Sequence, residues 1–182
     1  MVKIIGLCGI AGSGKDTCAL AIKESEINTE VFAFAWPLKE ACKILFNFSD
    51  EQLHNSVAKE EIDERWERSP RQILQWLGTD ILRNNIKKDF FIVNMKQRID
   101  TSKAEYIVIS DVRFDNEAEL IRSMGGKIIK VVRSGKKNIK YSEHETELGI
   151  SPELIDTIVE NNGTIEEFKN KIKLLKNFLF DS

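Results

Sequence analysis

Three cysteines are all this chain carries, and their number and spacing argue against two kinds of architecture. Cys8, Cys18 and Cys42 are odd in number and lack metal-ligand spacing, which speaks against a disulfide framework or a zinc site. One falls in a strand pattern and two in helical patterns, so buried free thiols in a reducing compartment are expected. An excess of either charge is also missing. The 27 basic and 29 acidic residues give a net charge of −2, too balanced for a basic field that attracts nucleic acid directly. No apolar run is long enough to cross a bilayer, and the N-terminus enters a core strand at once instead of reading as a signal peptide. A cytoplasmic protein with no membrane partner is expected. Repeats, low-complexity tracts and long linkers are absent as well, so the 182 residues are expected to form a single domain. Apolar content of 42% and charged content of 31% fit a globular chain.

Short apolar, β-branched runs alternate with longer helical patterns. Strands are expected at 2–8, 30–35, 105–110 and 127–133, with a weaker one at 155–159. Helices are expected at 14–25, 37–47, 69–86, 89–99, 115–124 and 164–180. Nearly continuous apolar strands suit a sheet buried on both faces, and the alternation implies an α/β three-layer sandwich with a mainly parallel sheet. Pro37, Ser69-Pro70, Gly125-Gly126 and the Thr164–Glu167 capping box mark helix ends. Residues 36–104 form a largely helical insertion after the second strand. It is either an extra layer serving stability or the seat of a second substrate.

Residues 9–15 read Gly-Ile-Ala-Gly-Ser-Gly-Lys directly after the first apolar run. Glycines let backbone N–H groups converge on a phosphate where a Cβ would obstruct them, and Lys15 adds a mobile positive charge. The helix that follows presents its N-terminus to the same anion. A bound nucleoside triphosphate is therefore expected. The usual pattern places a hydroxyl directly after the lysine to help hold Mg²⁺. Here Asp16 stands there and the hydroxyl comes one residue later, at Thr17.

Tyr106–Asp111 is an apolar strand ending in a carboxylate, which beside such a loop can hold Mg²⁺ directly or through water. Arg113, two residues on, can contact a phosphate, or it can pair with Asp111 structurally. Lys39 follows Trp36-Pro37-Leu38 and either points at a phosphate or is solvated. Arg71 and Gln75 share a helix face, and Gly78 interrupts that helix, implying close backbone approach or a kink. Residues 134–147 form a basic loop that reads as a closing lid or as an ordinary surface loop. His144 within it is expected to be structural or to contact substrate, since phosphoryl transfer between phosphates needs no strong base.

Taken together, Gly12-Ser13-Gly14-Lys15-Asp16-Thr17, Pro37-Leu38-Lys39, Arg71 with Leu77-Gly78-Thr79-Asp80, Asn84-Asn85, Asp111-Val112-Arg113 with Glu117, Val131-Val132-Arg133, His144–Glu147 and Asn161–Glu167 resemble the phage-type deoxynucleoside monophosphate kinases. The resemblance keeps its order over nearly the full length and tolerates Asp16, with Thr17 and water completing the metal shell. It implies a P-loop nucleoside monophosphate kinase-like fold that transfers the γ-phosphoryl group of ATP to a deoxynucleoside 5′-monophosphate. Gly12, Ser13, Gly14, Lys15, Asp16 and Thr17 would hold ATP phosphates, with Arg133 near the adenine or the phosphates. Thr17, Asp16 and Asp111 would serve Mg²⁺. The monophosphate side would draw on Pro37, Leu38, Lys39, Arg71, Gly78, Thr79 and Asn84, with Phe91, Glu117 and His144. Lys15, Asp111, Arg113 and Arg71 would act in catalysis, and a homodimer is implied. The loop has Ile10 and Ala11 where the family can carry basic residues, and Phe91 stands where some relatives have Trp. Base preference is not carried over. Rival readings are a kinase of another small phosphate, such as dephospho-coenzyme A or phosphomevalonate, and a non-catalytic nucleotide-binding module.

Overall fold

The computed structural model describes residues 2–134 and 149–180, the side chains of 176–180 excepted. The chain divides into two compact units, one of Met1–Ala33 with Met95–Ser182 and one of Phe34–Asn94.

The first unit contains β1 (Lys3–Cys8), α1 (Lys15–Ser25), β2 (Thr29–Phe32), β3 (Tyr106–Ile109), α6 (Asp115–Ser123), β4 (Lys127–Val132), β5 (Thr157–Glu160) and α7 (Ile165–Phe180). Its five strands lie in the order β2-β3-β1-β4-β5, every neighbouring pair parallel. Ile4 to Cys8 of β1 are all buried, as a central strand covered on both faces requires. Ile5 and Leu7 point into a cluster with Cys18, Ala21 and Ile22 of α1 and Phe168 and Ile172 of α7. Gly6, between them, points the other way, where a Cβ would stand 2.7 Å from Ile121 of α6. Helices thus cover opposite faces, and the connections leaving β1 and β3 depart on opposite sides. A crevice opens at the carboxyl ends of such neighbours.

All three cysteines are free and buried. Burial pushes the Cys8 and Cys42 thiols up to about 11 and Cys18 to about 12, so all stay protonated at neutral pH.

The second unit is built from α2 (Trp36–Phe46), α3 (Asp50–His54), α4 (Pro70–Gln75), a π-helix (Trp76–Ile86) and the start of α5 (Phe90–Thr101). Phe46 stacks on Phe48 and meets Trp66 edge-on at 5.2 Å, while the Trp66 indole donates to the Phe46 carbonyl at 3.0 Å. Three elements depart from the sequence expectation. The second strand stops at Phe32 and not at residue 35, because the chain turns at Phe34-Ala35 to enter α2 with Pro37 in its first turn. Helix α3 was not anticipated; its five residues are held by a reciprocal Ser49–Gln52 capping box. The expected helix over 69–86 is continuous but widens to π geometry from Trp76.

Candidate active site

Between β1 and α1 the chain turns through three glycines with positive φ, Gly9 at 137°, Gly12 at 72° and Gly14 at 107°. Two of them also leave no room for a side chain. A Cβ on Gly9 would lie 2.3 Å from the Val131 carbonyl oxygen, and one on Gly14 would lie 2.3 Å from Nδ2 of Asn161. Within the loop the Ser13 N–H donates to the Ile10 carbonyl at 3.2 Å. The Lys15 ammonium folds back to donate to the carbonyls of Gly9 and Ile10 at 2.7 and 2.9 Å, so its charge sits over the loop.

A cavity of about 370 Å³ opens here, lined on one side by Gly12, Gly14, Lys15, Asp16 and Thr17. Arg133, just past β4, lines it too, as do Asn161, Gly163, Ile165 and Phe168 from the turn after β5 and the start of α7. Its lining combines the backbone and polar groups of the loop, which can take phosphates, with the apolar side chains of Ile165 and Phe168. Five of the six predicted loop residues therefore share one cavity with Arg133. Ser13 does not: it is fully buried, and its hydroxyl has no hydrogen-bond partner among the described residues. Sequence reasoning assigned no role to Asn161, Gly163, Ile165 or Phe168. The signal lay in the turn Asn161-Asn162-Gly163 before a capping box, where Glu167 accepts from the Thr164 N–H at 2.8 Å.

Asp111 follows β3. The Ser110 N–H donates to Phe32 at 2.9 Å and the Val112 N–H to Leu7 at 3.0 Å, which pins the half-buried aspartate between the ends of β2 and β1. Arg113 is exposed, and its backbone N–H, with that of Phe114, donates to Glu117 Oε2 at 2.8 and 3.3 Å. Glu117 itself is 1% exposed, a carboxylate held by the backbone it caps. A further cation went unanticipated. Arg98 lies 4.3 Å above the Phe32 ring and donates to the Ala33 carbonyl at 3.4 Å. Burial lowers its pKa, while the charges of Glu30 and Asp111 pull it back up. Its partners are distant in sequence, so no local pattern announces it.

In the second unit, Pro37, Leu38 and Lys39 form the first turn of α2, and Lys39 Nζ stands 3.3 Å from Nδ1 of His54. Arg71 in α4 pairs through Nε with Glu60. Gly78 and Thr79 are buried in the π-helix, and a Cβ on Gly78 would stand 2.7 Å from Leu38 and 4.0 Å from Phe91. Gly78 thus combines the close approach with the change of helical gauge. Phe91 is buried, with the Arg83 guanidinium 4.7 Å from its ring centroid. Asn84 is exposed near the end of the π-helix. His144 and, apart from Ser134, the predicted lid over 134–147 lie outside the described residues.

The donor set suits Mg²⁺: Asp16 and Thr17 offer hard oxygen ligands at the phosphate loop. Among the described residues no group of three or more His, Cys, Asp or Glu forms a metal cage. Such a pair fits an ion that keeps waters and takes substrate oxygens.

A family profile described as deoxynucleotide monophosphate kinase matches residues 47–172. A protein of Acanthamoeba polyphaga mimivirus named "Putative deoxynucleotide monophosphate kinase" is 38% identical over 93% of this chain and 93% of its own length. The deoxynucleotide monophosphate kinase of Enterobacteria phage T4 is 32% identical over 79% of this chain and 57% of its own. For the deoxynucleoside-5′-monophosphate kinase of Escherichia phage T5 the figures are 30%, 69% and 50%. The chain therefore spans about half the length of these phage relatives. Among solved structures, TT1252 from Thermus thermophilus superposes with a TM-score of 0.52 at 15% identity, and a dephospho-CoA kinase from Campylobacter jejuni with 0.51 at 14%. Each covers 98% of both chains and, at that identity, speaks for the fold alone.

Proposed function

Because this chain belongs to the deoxynucleotide monophosphate kinase family, we propose that it transfers the γ-phosphoryl group of ATP to deoxynucleoside 5′-monophosphates, releasing ADP and the diphosphate. The observation that carries this reading is the cavity that Gly12, Gly14, Lys15, Asp16 and Thr17 share with Arg133. Backbone N–H groups of the loop and the start of α1 cradle the phosphates of ATP. Lys15 exchanges its carbonyl partners for phosphate oxygens, and Arg133 adds a second positive charge. Asp16 and Thr17, with Asp111 through water, are the residues that would hold Mg²⁺, which when bound would supply neutralisation of charge on the triphosphate. Arg113 stabilises charge on the group in transfer.

In the helical unit, Lys39 and Arg71 serve the acceptor phosphate, while Gly78, Thr79, Asn84 and Phe91 shape the acceptor's surroundings. Glu117 acts through the backbone of Arg113 and Phe114, which it holds. His144 is a substrate contact and not a base, since the acceptor phosphate is already anionic near neutral pH. Rate comes from positioning and charge neutralisation. The same reading expects a cytoplasmic enzyme, a homodimer in solution and no direct nucleic-acid partner.

A panel of deoxynucleoside and ribonucleoside monophosphates, dephospho-coenzyme A and phosphomevalonate, assayed by ADP release with ATP and Mg²⁺, tests the proposal. Turnover of at least one deoxynucleoside monophosphate is expected. ATP binding without turnover of any acceptor would leave a nucleotide-binding module instead, and turnover of a non-nucleotide alone would move the chain to another kinase specificity.

A further inference from the structure

Asn161 follows β5 directly and is buried, yet its side chain reaches the phosphate loop. Its Nδ2 donates to the Ser13 carbonyl at 2.9 Å, a contact spanning 148 residues of sequence. Its own N–H donates to the Val132 carbonyl at 2.8 Å, and Oδ1 of Asn162 accepts from the Ser134 N–H at 2.7 Å. The turn after β5 is thereby tied twice to the exit of β4 and once to the loop. Gly14 lies against the same amide so closely that a Cβ there would stand 2.3 Å from Nδ2.

We propose that Asn161 is a positioning residue that sets the orientation of the Ser13–Gly14 peptide, and with it the aim of the Gly14 N–H in the phosphate cradle. A trans peptide is planar, with its C=O and N–H on opposite sides. Holding the Ser13 carbonyl on Asn161 therefore fixes the opposite direction for the Gly14 N–H. The peptide needs such a hold, because Ser13 is flanked by Gly12 at φ 72° and Gly14 at φ 107°, residues whose backbone is freest to rotate. The Ser13 hydroxyl does not supply it, being buried with no hydrogen-bond partner among the described residues. Donors already aimed before the anion arrives cost no reorganisation when it binds. The inference rests on the loop being the site of the ATP phosphates.

The test combines N161A, N161D, G14A and the N161A/G14A double variant. For each, ADP affinity is measured by calorimetry, KM for ATP and for the acceptor by steady-state assay, and Tm in parallel. Aspartate keeps the shape of asparagine but presents only acceptors to the Ser13 carbonyl. N161D is expected to weaken ADP binding and raise KM for ATP by about tenfold or more, with N161A intermediate. KM for the acceptor should move less than about twofold. Because the Cβ of G14A is crowded by the Asn161 amide, G14A should weaken ADP binding at least about fivefold less in the N161A background than in wild type. Unchanged ADP affinity in N161A and N161D, whatever their Tm, would overturn the inference while leaving the loop reading intact. So would a G14A penalty that is the same in both backgrounds, a comparison that decides the matter even where N161D does not fold. Wild-type protein that binds no ADP would overturn the loop reading and this inference with it.

Discussion

In the unit of Met1–Ala33 and Met95–Ser182, the phosphate loop that lines the cavity is shaped chiefly by backbone, with the Asn161 side chain holding one of its peptides. Gly9, Gly12 and Gly14 turn the chain through positive φ, β1 and α1 fix its two ends, and Lys15 rests on the loop's own carbonyls. In the unit of Phe34–Asn94, the chemical groups are placed by side chains. Arg71 is held by Glu60, Lys39 stands beside His54, and Arg83 lies over Phe91. The surfaces differ too. Trp36, Ile44, Leu45, Val57, Ile62, Trp66, Trp76 and Ile86 all leave large apolar area exposed in the helical unit. A backbone-built site is preorganised and tolerates little substitution, whereas one built from side-chain pairs can be retuned residue by residue.

The largest effect should come from the backbone-built side. K15A removes the one mobile cation of the loop while leaving the glycines and the sheet in place. Phosphotransfer should fall by roughly a thousandfold with Tm nearly unchanged. Near-normal turnover in this variant would remove the reason for treating the loop as the centre of the chemistry.

On the other side, R71A should lower kcat/KM for the acceptor by roughly tenfold to a hundredfold, the worth of a charged hydrogen bond. KM for ATP should hardly move. E60Q, which weakens the grip on Arg71 without removing it, should cost the acceptor no more than about threefold. If R71A and E60Q instead lower Tm alike and leave both KM values alone, the pair is structural and the helical unit loses its main candidate for the acceptor.

The same contrast explains what the sequence made legible. Glycine spacing and an apolar run are local, so the loop and β1 could be read from residues 2–15, and five of the six loop positions line the cavity. The central parallel strands announced themselves through nearly continuous apolar runs, which β1 and β3 bury almost throughout, whereas β2 and β5 bury only some of their residues. Asn161, Arg98 and Glu60 act through partners 148, 65 and 11 residues away, and no local period encodes such pairings. Helix α3 was missed because five residues give no amphipathic period, and the π geometry because its pattern matches that of an α-helix at this length. Gly78 was the exception: an isolated glycine in a helical pattern pointed to close approach or a kink, and a Cβ there would stand 2.7 Å from Leu38.

Gly78 also offers an intermediate test. Alanine there places a Cβ 2.7 Å from Leu38 Cδ2 in a buried spot, while gaining helix propensity. A net loss of about 1 kcal/mol is expected from overpacking of roughly 1–3 kcal/mol set against a propensity gain of about 1 kcal/mol. Chemical denaturation measures it, and G78A should cost less in an L38A background than in wild type, because the crowding methyl of Leu38 is then gone. A stabilised G78A would mean that the glycine is not needed for packing.

The smallest effect concerns acid, and it separates the units by pH. Asp63 in the helical unit accepts from Arg65 Nε and Nη2 at 2.8 and 2.6 Å, from Gln52 Nε2 at 2.9 Å and from the Arg65 N–H at 3.1 Å. The Arg65 guanidinium above all, then the Gln52 amide and the backbone N–H, hold its carboxyl well below the usual carboxylate range. A folded-state pKa below the unfolded value means stability that is fully present above about pH 3.9 and is lost as pH falls toward the folded value. D63N should therefore melt lower than wild type at pH 7, and the gap should narrow as the pH drops below about 4. Thermal melts at pH 7, 4 and 3 read this directly. A gap that stays constant with pH would show that Asp63 contributes only the shape of its hydrogen bonds and that its charge does nothing to order the helical unit.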